Sequence, residues 1–309
     1  MELNKKRYRD LDTYYKIKYQ KKIIKLPLDG GFTCPNRDGS LSFKGCIYCS
    51  DEGAGEWTYK SAGDIKNQIT YQKNILSKIG REEGYIAYFQ NFTNTYGDIE
   101  KMREMFFAAI NEPDIVGLSI ATRADCLPGD VLVLLDELNQ KTDLTVELGM
   151  QSVNEKTLDF INRGYDHKTF DRGVDKLNKL GIKTIAHIIV GLPGEDELDY
   201  LNDILYVNEK NFWGIKIHNL YIENNTYLKY YYEKNNIKYN MTKDAYAKIV
   251  VEMLRNLKPD VVINRLTGDG IKENISYPDW SKNKGAVLST IDKLMKDNNY
   301  RQGDLWKKN

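Results

Sequence analysis

No run in this chain approaches the ~20 consecutive apolar residues that a membrane-spanning helix requires, which leaves out a helical membrane protein. MELNKKRYRD, at the start, has no apolar core behind its charges. That argues against a secretory signal and predicts a cytoplasmic protein. An excess of one charge is lacking too: 45 Lys and Arg stand against 44 Asp and Glu. A net charge of +1 makes no case by itself for a polyanionic partner. Cysteine is scarce, with four residues, three clustered and one distant. Such a set, with no export signal, is not a disulfide framework, and metal or redox chemistry is the better default. No internal repeat is evident.

What is present is a hydrophobic fraction of 41% in 309 residues, enough for one large α/β domain or two small ones. Charge is uneven: residues 1–25 hold nine Lys or Arg against Glu2, Asp10 and Asp12. This basic lead-in reads either as a segment resting on nucleic-acid phosphates or as a solvated surface helix.

The distinctive stretch is Gly30–Ser50, GGFTCPNRDGSLSFKGCIYCS, which holds Cys34, Cys46 and Cys49 as C-x11-C-x2-C. Three thiolates are one short of a structural zinc site. They suit a 4Fe-4S cluster with three irons held by cysteine and one left for another ligand. Tyr48 completes a C-x-aromatic-C pattern. Zinc is the alternative and requires Cys126 or a histidine as fourth ligand; Cys126 otherwise reads as an ordinary buried thiol. On these residues the chain resembles the radical S-adenosylmethionine (SAM) superfamily, whose usual spacing is C-x3-C-x2-C. The wider gap, between CPNRDG and GCIYCS, resembles the YhcC/YtqA-type branch, with Elongator catalytic-subunit and coproporphyrinogen oxidase enzymes as more distant relatives.

Along the chain, residues 1–22 read as a basic helical lead-in and Ile23–Leu28 as a first strand, closed by Asp29-Gly30-Gly31. Gly53 and Gly55 extend the cysteine loop. Asp64 caps a helix with Ile65, Ile69, Ile75, Leu76 and Ile79 on its apolar side, stopped by Gly80. Strands at Tyr85–Gln90, Ile115–Ile120, Leu144–Leu148, Thr184–Val190 and Phe212–Tyr221 alternate with helices at Ile99–Ile110, around Val131–Leu138, at Phe170–Leu180 and at Leu198–Val207. Six strands in strict alternation argue for parallel strands joined by right-handed crossovers. Residue pattern alone does not separate a barrel from a doubly wound sheet. The resemblance implies an open partial (β/α)6 barrel over 23–222, with a small C-terminal α+β extension, 223–309, packed on the barrel and closing its open side. In that extension a helix at Lys243–Leu257, a strand at Val261–Leu266 and a helix at Lys284–Met295 are predicted.

Ligands in parallel α/β folds gather at the carboxyl ends of the strands. Alternation puts Leu144, Val146 and Leu148 on the helix side and Glu147 inside, where a carboxylate is costly unless satisfied. The same argument sends Ile215 and Ile217 outward and aims Lys216 and His218 inward, as candidates for substrate recognition. His167 reads as surface; the facing of His187 is open. By resemblance, Asn94 and Thr95, Glu147, Gln151, Arg163 and Gly191 are implied SAM contacts beside Tyr48, and Arg123, in a TRADCLP segment, a substrate contact. The structural alternatives are an Arg123–Asp125 turn pair and a Glu147–Arg163 pair.

The resemblance further implies reductive cleavage of SAM by the cluster to a 5′-deoxyadenosyl radical, with an electron donor such as flavodoxin or ferredoxin. Kinship with the Elongator catalytic subunit suggests tRNA as a partner, modified on the side chain of its wobble uridine. The alternatives are a small-molecule or porphyrin-like substrate, or a zinc-bearing module without catalysis. Tyr227, Tyr230, Tyr231 and Tyr232 lie among lysines, a composition that stacks single-stranded nucleic acid but also one that amphipathic helices bury.

Overall fold

The computed structural model describes residues 6–51, 53, 58, 64–76 and 83–307; Gly55, Ile79 and Gly80 fall outside them. After a helix α1 (Leu11–Tyr19), six strands follow with helices in the five connections between them. The strands are β1 (Lys22–Leu28), β2 (Glu83–Phe89), β3 (Ile115–Thr122), β4 (Asp143–Gln151), β5 (Lys183–Val190) and β6 (Gly214–Asn219). Between them run α2 (Ile65–Leu76), α3 (Ile99–Ile110), α4 (Gly129–Lys141), α5 (Glu155–Phe160), α6 (His167–Lys179) and α7 (Glu197–Glu209). Beyond β6 come β7 (Ile222–Glu223), α8 (Tyr227–Lys234), α9 (Lys243–Asn256), β8 (Val262–Arg265), β9 (Ile275–Tyr277) and α10 (Lys284–Asp297).

The first six strands pair in chain order and every pair is parallel, so the sheet curls into a partial barrel. A seventh strand, β8, adds in parallel to β6 from beyond residue 222. β7 and β9 form a separate antiparallel pair. Strands covered on both faces read as near-continuous apolar runs, as β2 does with all seven residues buried. Leu144, Val146 and Leu148, with Ile215 and Ile217, face the helices in the main core, as alternation predicts.

β1 and β8 are the sheet edges, and the lead-in bridges them. Ile263 N donates to Arg9 O at 2.8 Å, Asp10 bridges Ile263, and α1 then packs Tyr15 on Ile23 and Ile86 beside β1. Residues 6–10 are therefore not helical, contrary to the reading of 1–22; Asp10 caps α1 by accepting from Thr13 N at 3.0 Å. α1 itself is a surface helix: Tyr15 is buried, while Lys16, Ile17 and Lys18 are exposed and the two lysines carry surface ion pairs. Lys6 pairs with Asp292, Lys16 and Lys22 with Asp12, and Lys18 with Asp143 at the start of β4. Four lysines of the lead-in, Lys6, Lys16, Lys18 and Lys22, thus have a carboxylate of the same molecule beside them.

Three helices depart from the expected pattern. In α2 the buried face runs Ile65, Gln68, Ile69, Gln72, because Gln68 bonds both the N–H (2.8 Å) and C=O (2.9 Å) of Asp29 where β1 ends. Ile75 and Leu76 fall off that face and are exposed. The Asn- and Tyr-rich segment after Glu223 contains α8, capped by Thr226, and α5 is short enough for its apolar spacing to pass unnoticed.

Candidate active site

The three clustered cysteines line one cavity at the carboxyl ends of the strands, together with Tyr48, Tyr88, Glu147, Gln151, Arg163, His187 and His218. The eleven residues between Cys34 and Cys46 fold back on themselves. Leu41 N donates to Pro35 O at 2.8 Å, and Gly45 N to Asn36 O at 2.7 Å. The excursion closes at its base, so the chain returns beside Cys34 before continuing to Cys46. Leu41 and Phe43 are left exposed on the excursion.

An asparagine clasp fixes the loop to the far side of the barrel. Asn36 Nδ2 donates to Asn162 O, and Asn162 Nδ2 to Gly45 O, each at 2.6 Å. Ile47 N reaches Ile161 O at the end of α5, and Leu228 N of α8 reaches Ile47 O. Arg37 holds the other end, donating to the carbonyls of Cys49 and Ser50 at 3.1 and 2.6 Å. Burial raises the Cys46 thiol while the Arg123 guanidinium draws it back; burial and the neighbouring Cys46 push Cys49 up to about 12, against the pull of Arg37. Cys46 and Cys49 thus each have a guanidinium at hand. This donor set fits a cluster held by three thiolates, whose negative charge the two arginines complement. Among the described residues no group of three or more His, Cys, Asp or Glu side chains is placed to hold a single metal ion. A cluster with one cysteine per iron spreads its ligands wider than one ion does.

Beneath the loop lies a polar hub. Glu147 Oε1 accepts from Lys25 Nζ and Ser119 Oγ, both at 2.8 Å; Oε2 accepts from Tyr88 Oη (2.9 Å), His187 Nε2 (2.8 Å) and Lys216 Nζ. One side chain comes from each of the first six strands. Burial alone would raise this carboxyl, but Lys216 and Lys25 outweigh it and hold Glu147 well below the usual range. Burial pushes Lys216 down to about 7 despite Glu147, and burial with the Lys216 charge pushes His187 to about 4.

Several sequence-derived roles change here. Glu147 points inward, but its roughly four lone-pair sites are taken by protein donors, so it is not a free acceptor for SAM, and it forms no pair with Arg163. Arg163 instead donates to Met150 O and Tyr165 O, both at 3.0 Å, and rests on the Tyr165 ring. Arg123 lines the cavity yet grips Asp125 in two bonds, at 3.0 and 2.8 Å, and donates to Arg163 O. Lys216 is only 4% exposed and sits behind Tyr88, outside the cavity lining.

Asn94 and Thr95 do not line the cavity. Asn94 Nδ2 ties Phe89 O to Ala121 O, and Thr95 Oγ1 reaches Thr122 and Cys126 O, so both join the ends of β2 and β3. Their neighbours Gln90, Phe92 and Thr93 line it instead. Gly191 is also outside the lining; at φ +102 its missing Cβ would meet Tyr239 and Leu220 rather than open space. Gln151 does face the cavity, re-aimed by a register shift at the end of β4 and a φ of +67. His167 is half-buried against Phe170 and Tyr206, not a surface residue. Sequence reasoning passed over Tyr88 and left His187 unplaced; period-two alternation from the strand ends would have aimed both inward.

Two family models match this chain, the Radical SAM superfamily over residues 34–207 and the Radical SAM C-terminal domain over 212–297. It is 40% identical to the protein YtqA of Bacillus subtilis across 98% of this chain and 94% of that one. It is 33% identical to YhcC of Escherichia coli across 91% and 89%. Among solved structures, the archaeal Methanocaldococcus infernus Elp3 superposes with a TM-score of 0.67 at 16% identity, over 91% of this chain and 64% of that one. No helix among the described residues is long and apolar enough to cross a membrane. With its cysteine loop at the mouth of a partial parallel barrel, this chain belongs to the radical SAM superfamily, enzymes that work with a 4Fe-4S cluster and SAM, and to its YtqA/YhcC branch.

Proposed function

We infer that Cys34, Cys46 and Cys49 hold the cluster and that the cavity beside them takes SAM and then the side chain of a tRNA wobble uridine. The observation carrying this reading is that one cavity is shared by the three thiols and the polar floor around Glu147. When bound, cluster and SAM together supply a 5′-deoxyadenosyl radical that abstracts a substrate hydrogen. The chain's own part is placement. The Asn36–Asn162 clasp and Arg37 hold the loop in position, Tyr48 and Gln151 border the SAM side, and Arg163 braces the end of β4. Buried walls such as Ile189 and Leu220 keep water from the reacting centre. Flavodoxin or ferredoxin is the class of reductant that suits such a cluster.

Support for tRNA comes from the resemblance to Elongator catalytic-subunit enzymes and from α8. That helix buries Leu228 and Tyr232 but exposes Tyr227 and Tyr230, with Lys234 5.6 Å from the Tyr230 ring centre. Exposed aromatics among cations stack on single-stranded bases. Nucleoside mass spectrometry of tRNA from cells with and without the gene tests the reading: a wobble-uridine side chain should change. Unchanged tRNA, with no salt-sensitive tRNA binding by the purified protein, ends it.

A further inference from the structure

The hydrogen bonds of the cavity floor restrict what can be read there. A carboxylate lying between two lysines is an acceptor only. The 2.8 Å contact between His187 and Glu147 Oε2 is therefore a donation from the ring, and Nε2 carries the proton. A neutral imidazole carries one ring proton, so Nδ1 is left as a bare acceptor. The bond to Glu147 is the only hydrogen bond that the ring makes among the described residues, and the ring lines the cavity. Beside it, 5.6 Å away between ring centres, His218 lines the same cavity with a buried Nε2 that has no partner among the described residues. The floor thus holds an acceptor whose orientation is set by Glu147, and a second imidazole awaiting a partner.

We propose that His187 selects the substrate by accepting a hydrogen bond from a ring N–H, so that the pocket takes an imide heterocycle such as uracil and rejects a pyrimidine with a bare ring nitrogen such as cytosine. This rests on the wobble-uridine reading and adds a chemical criterion to it. Uracil presents N3–H between two carbonyls. Cytosine presents a lone pair at the same place, and two acceptors facing each other leave both desolvated and unpaired. The loss should be roughly tenfold to a hundredfold in affinity.

The test uses the full-length, anaerobically reconstituted protein and three anticodon stem-loop RNAs identical except at the wobble position: uridine, 3-methyluridine or cytidine. Affinity is read by fluorescence anisotropy. Wild type should bind the uridine RNA tightest and both others roughly tenfold to a hundredfold more weakly. His187→Phe keeps a ring but no acceptor, and should bring the three affinities together. His187→Gln can donate to Glu147 and still accept, and should restore part of the preference. Equal binding of all three RNAs by wild type, or an undiminished preference in a folded His187→Phe, overturns the selection while leaving the wobble-uridine reading standing. If none of the three binds, that reading falls and this one with it.

Discussion

Lys25 Nζ, on the first barrel strand, lies 2.8 Å from Glu147 Oε1 on the fourth. The pair spans the barrel interior, and with Lys216 on the opposite oxygen it sets two cations on one buried carboxylate. Glu147→Ala strands both lysines. Removing one partner of a buried ion pair typically costs about 3–5 kcal/mol, and urea denaturation should show a loss in that range. A loss under about 1 kcal/mol would mean that the lysines find other partners or shed their protons.

Each of Cys34→Ala, Cys46→Ala and Cys49→Ala should leave the circular dichroism of the fold in place and abolish cluster absorbance after anaerobic reconstitution, since the loop is held by Asn36, Asn162 and Arg37 rather than by the thiols. Cys126→Ala should keep the absorbance. Unfolding of the first three variants would instead point to a structural zinc site.

Gly191 adopts φ +102, and an added Cβ would lie 3.3 Å from Tyr239 Oη. Gly191→Ala should destabilise the protein by about 1–2 kcal/mol but change the SAM dissociation constant by less than about threefold, which corresponds to under ~0.7 kcal/mol. Calorimetric titration decides it; a larger loss of affinity would place this backbone against the cofactor after all.

Burial, with Asp199 and Asp196 nearby, raises the Glu195 carboxyl from 4.5 to about 7. A raised carboxyl means that the folded chain holds a proton the unfolded chain releases between those values. Stability is then greatest at the acid end of the window and falls as pH rises through it. The melting temperature should drop between pH 5 and pH 8, and Glu195→Gln should flatten that drop. His187, pushed down to about 4, acts in the opposite sense below pH 6.5, so the difference between wild type and variant is the measurement. Parallel curves would remove Glu195 as the cause.

The barrel strands were legible because a parallel strand buried on both faces leaves a short apolar run, and because period two says which side chains point in. Ile23–Leu28, Thr184–Val190 and the inward aim of Glu147 and Lys216 follow from that local rule. The cluster was legible for another reason: three clustered thiolates, one short of a zinc site, together with the resemblance to radical SAM enzymes. Tertiary structure alone decided which groups meet. Lys25 finds Glu147 across 122 residues of chain only because the sheet curls and staggers its strands. The same curl makes Glu147 a saturated hub instead of an open acceptor, and leaves a gap between β1 and β8 for the basic lead-in to bridge. Asn94, Thr95 and Gly191 sit at the expected strand ends but turn toward backbone and tyrosine. Turn residues follow no fixed period, so their direction depends on contacts supplied by the rest of the chain.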